Sequence, residues 1–98
     1  MRFATYQEFW PFYLAQHTQW ANKVLHSIGL LWALTTVIAS FYYQNFWLFL
    51  MAFPVGYGPA WVGHFFFEKN KPATFGYPFW SFISDFRMVY LFLTGKIR

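Results

Sequence analysis

Residues 24–67 read VLHSIGLLWALTTVIASFYYQNFWLFLMAFPVGYGPAWVGHFFF, a run of 44 positions without one Asp, Glu, Lys or Arg, bounded by Lys23 and Glu68. About 20 apolar residues of helix cross the roughly 30 Å hydrocarbon core of a bilayer, so a run of this length makes one hairpin of two helices. The turn belongs at Tyr43-Gln44-Asn45, near the middle. A histidine stands near each end of the run, His26 and His64, 38 positions apart. Two helices of about 19 residues, each about 28 Å long at 1.5 Å per residue, return both imidazoles to the same end of the hairpin. There they either share a metal ion or simply sit at a membrane surface.

The rest of the chain agrees with a lipid-embedded, all-α protein. Hydrophobic residues make up 58% of it, aromatics 29% and charged residues only 10%, against about 25% charged in soluble domains. Its 98 residues form one domain, 1–98, and so much aromatic surface calls for membrane lipids or a homo-oligomer to cover it. With no cysteine, site chemistry falls to His, Asp and Glu. The start, Met1-Arg2-Phe3, lacks the pattern of a cleaved leader, so the apolar segments are expected in the mature protein. A net charge of +4 would suggest nucleic acid in a soluble domain, but the cations are sparse and flank apolar segments, so no nucleic-acid partner is expected. Lys23, Lys69 and Lys71 bracket the hairpin and set that end on the cytoplasmic side, of an inner membrane in a bacterium or of the endoplasmic reticulum in a eukaryote. Lys69 and Lys71 have a second reading, as contacts to the carboxylate of an anionic lipid-like substrate.

Four helical segments follow. Thr5-Tyr6-Gln7-Glu8 matches a capping box and opens a short interfacial helix over about 5–17, which Pro11 is expected to kink or interrupt. After the polar patch Gln16-His17-Thr18-Gln19, the hairpin helices are expected at about 25–41 and 46–67, the second bent or unwound between Pro54 and Pro59. Asn70 in the left-handed conformation and Pro72 would stop it. A last helix over about 78–94 contains Asp85 and Arg87, each costing about 2.5–3.5 kcal/mol at a bilayer centre, which favours an interfacial position. Ser81, Ser84 and Asp85 form a narrow polar stripe on it, turned toward the protein or the interface.

The site candidates start from His64 and Glu68, i and i+4 on one helix face and so able to share a ligand. A carboxylate in the last turn of a helix also wants a nearby cation, which Lys69, Lys71, Arg87 or a metal ion could supply. His17 joins if the chain turns between it and His26, because nine residues on a straight helix would point the two in opposite directions. Asn22, four residues before His26, is a candidate hydrogen-bond partner for that ring. Three imidazoles with a carboxylate suit Fe(II), Mn(II) or Zn(II). Asp85 is a candidate either for orienting an imidazole or for pairing with Arg87.

These residues, His17, Asn22, His26 and Gly29, then Gly63-His64 with Glu68, then Asn70-Lys71-Pro72-Ala73, carry a resemblance. The chain resembles the family of the fungal endoplasmic-reticulum 2-hydroxy fatty acid dioxygenase, in a short bacterial-type branch, over most of its length. The resemblance implies an integral membrane, Fe(II)-dependent enzyme that uses O2 to remove C1 from 2-hydroxy fatty acids, leaving an acid one carbon shorter. It implies His17, His26 and His64 as iron ligands, with Glu68 as a fourth ligand or catalytic base. Two readings from other classes stand beside it: a membrane haem protein with His26 and His64 as axial ligands, and a non-catalytic module using Gly56 and Gly58 for close helix approach to a partner.

Overall fold

The computed structural model describes residues 3–98; Met1 and Arg2, and with them the expectations about a leader and about Arg2 as a flanking cation, lie outside the described residues. The described chain is all-helical. Helix α1 (Tyr6–Ala15) leads into α2 (Trp20–Tyr42) and α3 (Phe46–Val62). The last of these continues as a π-helical turn over Gly63–Glu68, and a short 3-10 turn (Ala73–Phe75) then precedes α4 (Pro78–Leu93). Trp20–Tyr42 and Phe46–Glu68, 23 residues each, are long and apolar enough to cross a membrane. Each covers about 34 Å at 1.5 Å per residue. Little of either span is covered by the rest of the protein. Phe41, Tyr42, Tyr43, Phe46 and Trp47 are all exposed at the hairpin tip, the composition of an aromatic belt.

The tip closes by a Schellman motif. Gln44 takes the left-handed conformation at φ 51°, so that Asn45 N–H reaches the Ser40 carbonyl (2.9 Å) and Gln44 N–H the Phe41 carbonyl (3.3 Å), which satisfies the last carbonyls of α2. Asn45 then caps α3 by accepting from Trp47 N–H at 3.0 Å. Lower down, the helices touch through backbone: a Cβ on Gly29 would strike the carbonyl oxygen of Gly56. Gly56 therefore serves the contact inside the hairpin, whereas a Cβ on Gly58 would meet nothing within 4 Å.

Unwinding of α3, interruption of α1 and the residue that ends the second hairpin helix are corrected. Helix α3 is continuous through Pro54 and Pro59, and the irregular backbone falls one turn later, in the π-helical segment that carries His64. Lys69, not Asn70, takes the left-handed position (φ 60°) that ends this segment, and Asn70 N–H closes onto the His64 carbonyl at 3.0 Å. Helix α1 runs uninterrupted through Pro11. Its N-cap works as the sequence suggests, Thr5 Oγ1 accepting from Glu8 N–H (3.3 Å), although the Glu8 carboxylate reaches Ala4 N–H (2.9 Å).

Helices α1 and α4 pack together across the site end of the hairpin. Phe9, Tyr13, Ala73 and Met88 form the buried core there, with Tyr6, Trp10, Tyr77 and Trp80 against it. The polar stripe of α4 faces this protein interior: Ser81 and Ser84 are buried, Ser84 Oγ and Tyr6 Oη share a hydrogen bond of 2.9 Å, and Tyr13 donates its hydroxyl to Asp85. Arg87 does not pair with Asp85; its guanidinium lies 4.1 Å from the Trp10 ring centre, a cation–π contact.

Candidate metal centre

Three elements deliver one imidazole each. His17 follows α1 in the loop to α2, His26 sits in the second turn of α2, and His64 lies in the π-helical turn. All three are buried, and their ligating nitrogens lie within 4.8 Å of one another. The His17 and His26 Nε2 atoms are 3.3 Å apart, and the rings meet edge to face with centroids 4.5 to 5.0 Å apart.

The outer nitrogen of every ring is engaged. His17 Nδ1 bonds to the Tyr13 carbonyl at 2.6 Å and His26 Nδ1 to the Asn22 carbonyl at 3.0 Å. A carbonyl only accepts, so both Nδ1 atoms carry the proton. His64 Nδ1 meets Asn70 Oδ1 at 2.7 Å, and the amide is oriented because Asn70 Nδ2 donates to the Gln16 carbonyl at 3.2 Å. Neutral rings protonated at Nδ1 leave Nε2 as a lone pair. Two such lone pairs at 3.3 Å have no proton to share and repel. A cation between them turns the repulsion into ligation, the usual arrangement of metal-binding histidines whose outer nitrogens are held by acceptors.

Electrostatics favours the neutral state. Burial, and then the neighbouring His26 and His64, push His17 down to about 2, so it stays available as a ligand at physiological pH. The Tyr13 ring stacks on His17 with centroids 4.0 Å apart, while burial and then Asp85 push its phenol well above the ordinary value of 10. Burial pushes Asp85 up to about 7, although the Tyr13 hydrogen bond pulls the other way.

Other expected site residues fall elsewhere. The three histidines form a group that could hold a metal ion, and Glu68 is not part of that group. Its carboxylate accepts from Thr18 Oγ1 (2.9 Å), Gln19 N–H (2.7 Å) and Asn22 Nδ2 (3.0 Å). Glu68 is the last residue of the π-helical segment, and its carboxylate turns to the start of α2, where these donors are. It caps the start of α2, which explains why that helix begins at Trp20, earlier than its apolar run. Asn22 supports His26 through its backbone carbonyl, its side chain being committed to Glu68 and buried against Gly63, where a Cβ would lie 3.1 Å from Asn22 Cα. Asp85 bonds to Tyr13 and to no imidazole. Lys69 and Lys71 are exposed and border neither cavity described below. Lys23, expected as a surface anchor, is buried.

Asn70 was legible only as a helix stop and Tyr13 only as an interfacial aromatic, although Tyr13 stands four residues before His17, the spacing that Asn22 has to His26. Two cavities meet at the centre. A small one of about 10 Å³ touches all three histidines and Ser81, room for about one water or ion, and Ser81 Oγ is buried there with no hydrogen-bond partner among the described residues. A larger one of about 190 Å³ runs between α2 and α3 under α4, and His26, Tyr57, Ala60 and Asp85 border both.

Fold and site together define a helical-hairpin protein with a buried three-histidine centre opening onto an apolar groove. The chain belongs to the Mpo1-like family, 2-hydroxy-palmitic acid dioxygenase Mpo1-like, which it matches over residues 3–97. No curated protein and no solved structure matches the chain.

Proposed function

We propose that the protein is an Fe(II)-dependent dioxygenase that consumes O2 and removes C1 from a 2-hydroxy fatty acid, giving an acid one carbon shorter. Family membership supports the dioxygenase and fatty-acid parts of this reading. The single observation behind the metal is the set of three Nδ1 atoms tied to outer acceptors, which leaves three Nε2 lone pairs converging. Three protein ligands leave coordination positions open for substrate, and iron(II) held there supplies the one-electron chemistry that O2 requires.

The chain's own residues do the remaining work. The histidines, fixed in one tautomer, hold the ion without having to lose a proton. Asp85 borders both cavities, beside the place where a 2-hydroxyl would enter, and burial pushes it up to about 7, a poise suited to exchanging a proton with that hydroxyl. Glu68, expected as base or fourth ligand, instead keeps the His64 segment docked on α2. Apolar walls exclude water from the carbon being oxidised.

A haem reading has no support in the geometry, since the space touching His26 and His64 is about 10 Å³ and a macrocycle does not fit. The test is metal analysis of protein purified anaerobically with iron, alongside 2-hydroxypalmitate consumption in air. One iron per chain and turnover lost in His64→Ala are expected; a metal-free protein that His64→Ala leaves unchanged would sink the proposal.

A further inference from the structure

We infer that the groove between α2, α3 and α4 holds the substrate's acyl chain and measures its length, with Val37 and Phe49 at the end away from the histidines. The inference rests on the fatty-acid reading above and adds where the chain lies and which residues select it. The groove starts at His26 on α2 and Ala60 on α3, both of which also border the metal centre, and runs to Val37 and Phe49. Each wall is eleven residues long, so both give about 16 Å at 1.5 Å per residue. An extended alkyl chain advances about 1.25 Å per carbon–carbon bond, so about 13 such bonds fit between the centre and the far end. Counted from the hydroxyl-bearing C2, about 13 bonds reach C15, within one carbon of the length named in the family's description.

The occupant follows from continuity and lining. Ala33, Ala52 and Gly56 leave the space between the helices open, and Phe53, Phe82 and Phe86 wall it. His26, Tyr57 and Asp85 supply the polar end, so the groove fits an amphiphile with one polar head at the histidines and one unbranched tail. A two-chain phospholipid offers a headgroup too large for the adjoining cavity of about 10 Å³.

Val37→Phe fills the far end, and Ile38→Phe, on a side chain 69% exposed, adds the same bulk outside it. Iron-loaded full-length protein in detergent is given 2-hydroxy acids of 12, 14 and 16 carbons. Val37→Phe should lower the C16-to-C12 consumption ratio about tenfold, the scale of one misfitted methylene or more in an apolar pocket, while Ile38→Phe leaves it unchanged. In parallel, palmitic acid with a photoreactive group at its methyl end is crosslinked to wild type, and the adducts are mapped with and without excess 2-hydroxypalmitate. Adducts concentrated on Val37, Phe49 and Phe53 and lost on competition support the groove, whether or not the protein turns over. Adducts spread evenly over Trp32, Ile38 and Trp47, or an unchanged length profile in Val37→Phe from an active enzyme, overturn it. An inactive wild type with focused, competed adducts would sink the dioxygenase reading and leave the groove standing.

Discussion

Asn70→Ala isolates the outer support of one ligand. Asn70 Oδ1 accepts from His64 Nδ1 at 2.7 Å, and its Nδ2 holds the Gln16 carbonyl at 3.2 Å, so one side chain joins the π-helical turn to the residue before His17. Removing it strands a ring N–H on a histidine only 2% exposed, at about 1–3 kcal/mol for an unsatisfied buried donor. The freed Gln16 carbonyl adds up to about 1 kcal/mol, for a loss of about 1–4 kcal/mol of stability. Loss of such an outer partner also weakens metal affinity about 10- to 100-fold, because the ring is no longer held in one tautomer and orientation. The assay is an anaerobic Fe(II) titration of wild type, Asn70→Ala and Asn70→Asp, with thermal unfolding of each. Asn70→Asp keeps the acceptor on His64 and loses only the bond to Gln16, so it should retain most of the affinity while losing part of the stability. Equal iron affinity in wild type and Asn70→Ala would refute the reasoning, since the converging lone pairs would then not depend on the outer hydrogen bonds.

Three further outcomes are expected. Glu68→Ala removes the acceptor for three hydrogen bonds and should cost about 2–4 kcal/mol after allowance for solvent at the exposed pair, yet bind one iron per chain at saturation; loss of stoichiometry in a folded variant would restore Glu68 as a ligand. Gly63→Ala drives a Cβ into Asn22 and should destabilise by about 1–3 kcal/mol, whereas Gly58→Ala, with open space around it, should be neutral or stabilising by up to about 1 kcal/mol; calorimetry of both variants checks the contrast. Asp85 is pushed up from 3.8 to about 7 in the folded protein, so between those values the native state holds a proton that the unfolded chain has lost. Its contribution therefore falls as pH rises through that window, by up to about 1.4 kcal/mol per pH unit. Asp85→Asn lacks this dependence, so the stability of the variant relative to wild type should climb from pH 4 to pH 7 in denaturant titrations; a flat difference would contradict the burial of Asp85.

The hairpin was legible because its signals are local. An uncharged run of fixed length, a turn triplet at its middle and histidines at equal distances from that turn require only helix rise and bilayer thickness to interpret. His26 and His64 follow from that geometry. The turn between His17 and His26 follows from the angle nine residues make on a helix. The roles of Glu68 and Asn70 were not legible, because each depends on contacts with residues 46 to 54 positions away.

What the sequence determined by itself is therefore the all-helical class, the two apolar spans and the three imidazoles, since composition and periodicity act residue by residue. Tertiary structure alone decided what surrounds those imidazoles. Docking of the π-helical turn on α2 engages Glu68 with Gln19 N–H at the start of that helix. The left-handed Lys69 then lets Asn70 turn back onto the ring, and packing of α1 on α4 joins Tyr13 to Asp85. Glu68 and Asn70 thereby meet residues 46 to 54 positions away. The energies of these contacts depend on burial and direction, which exist only once the chain has folded.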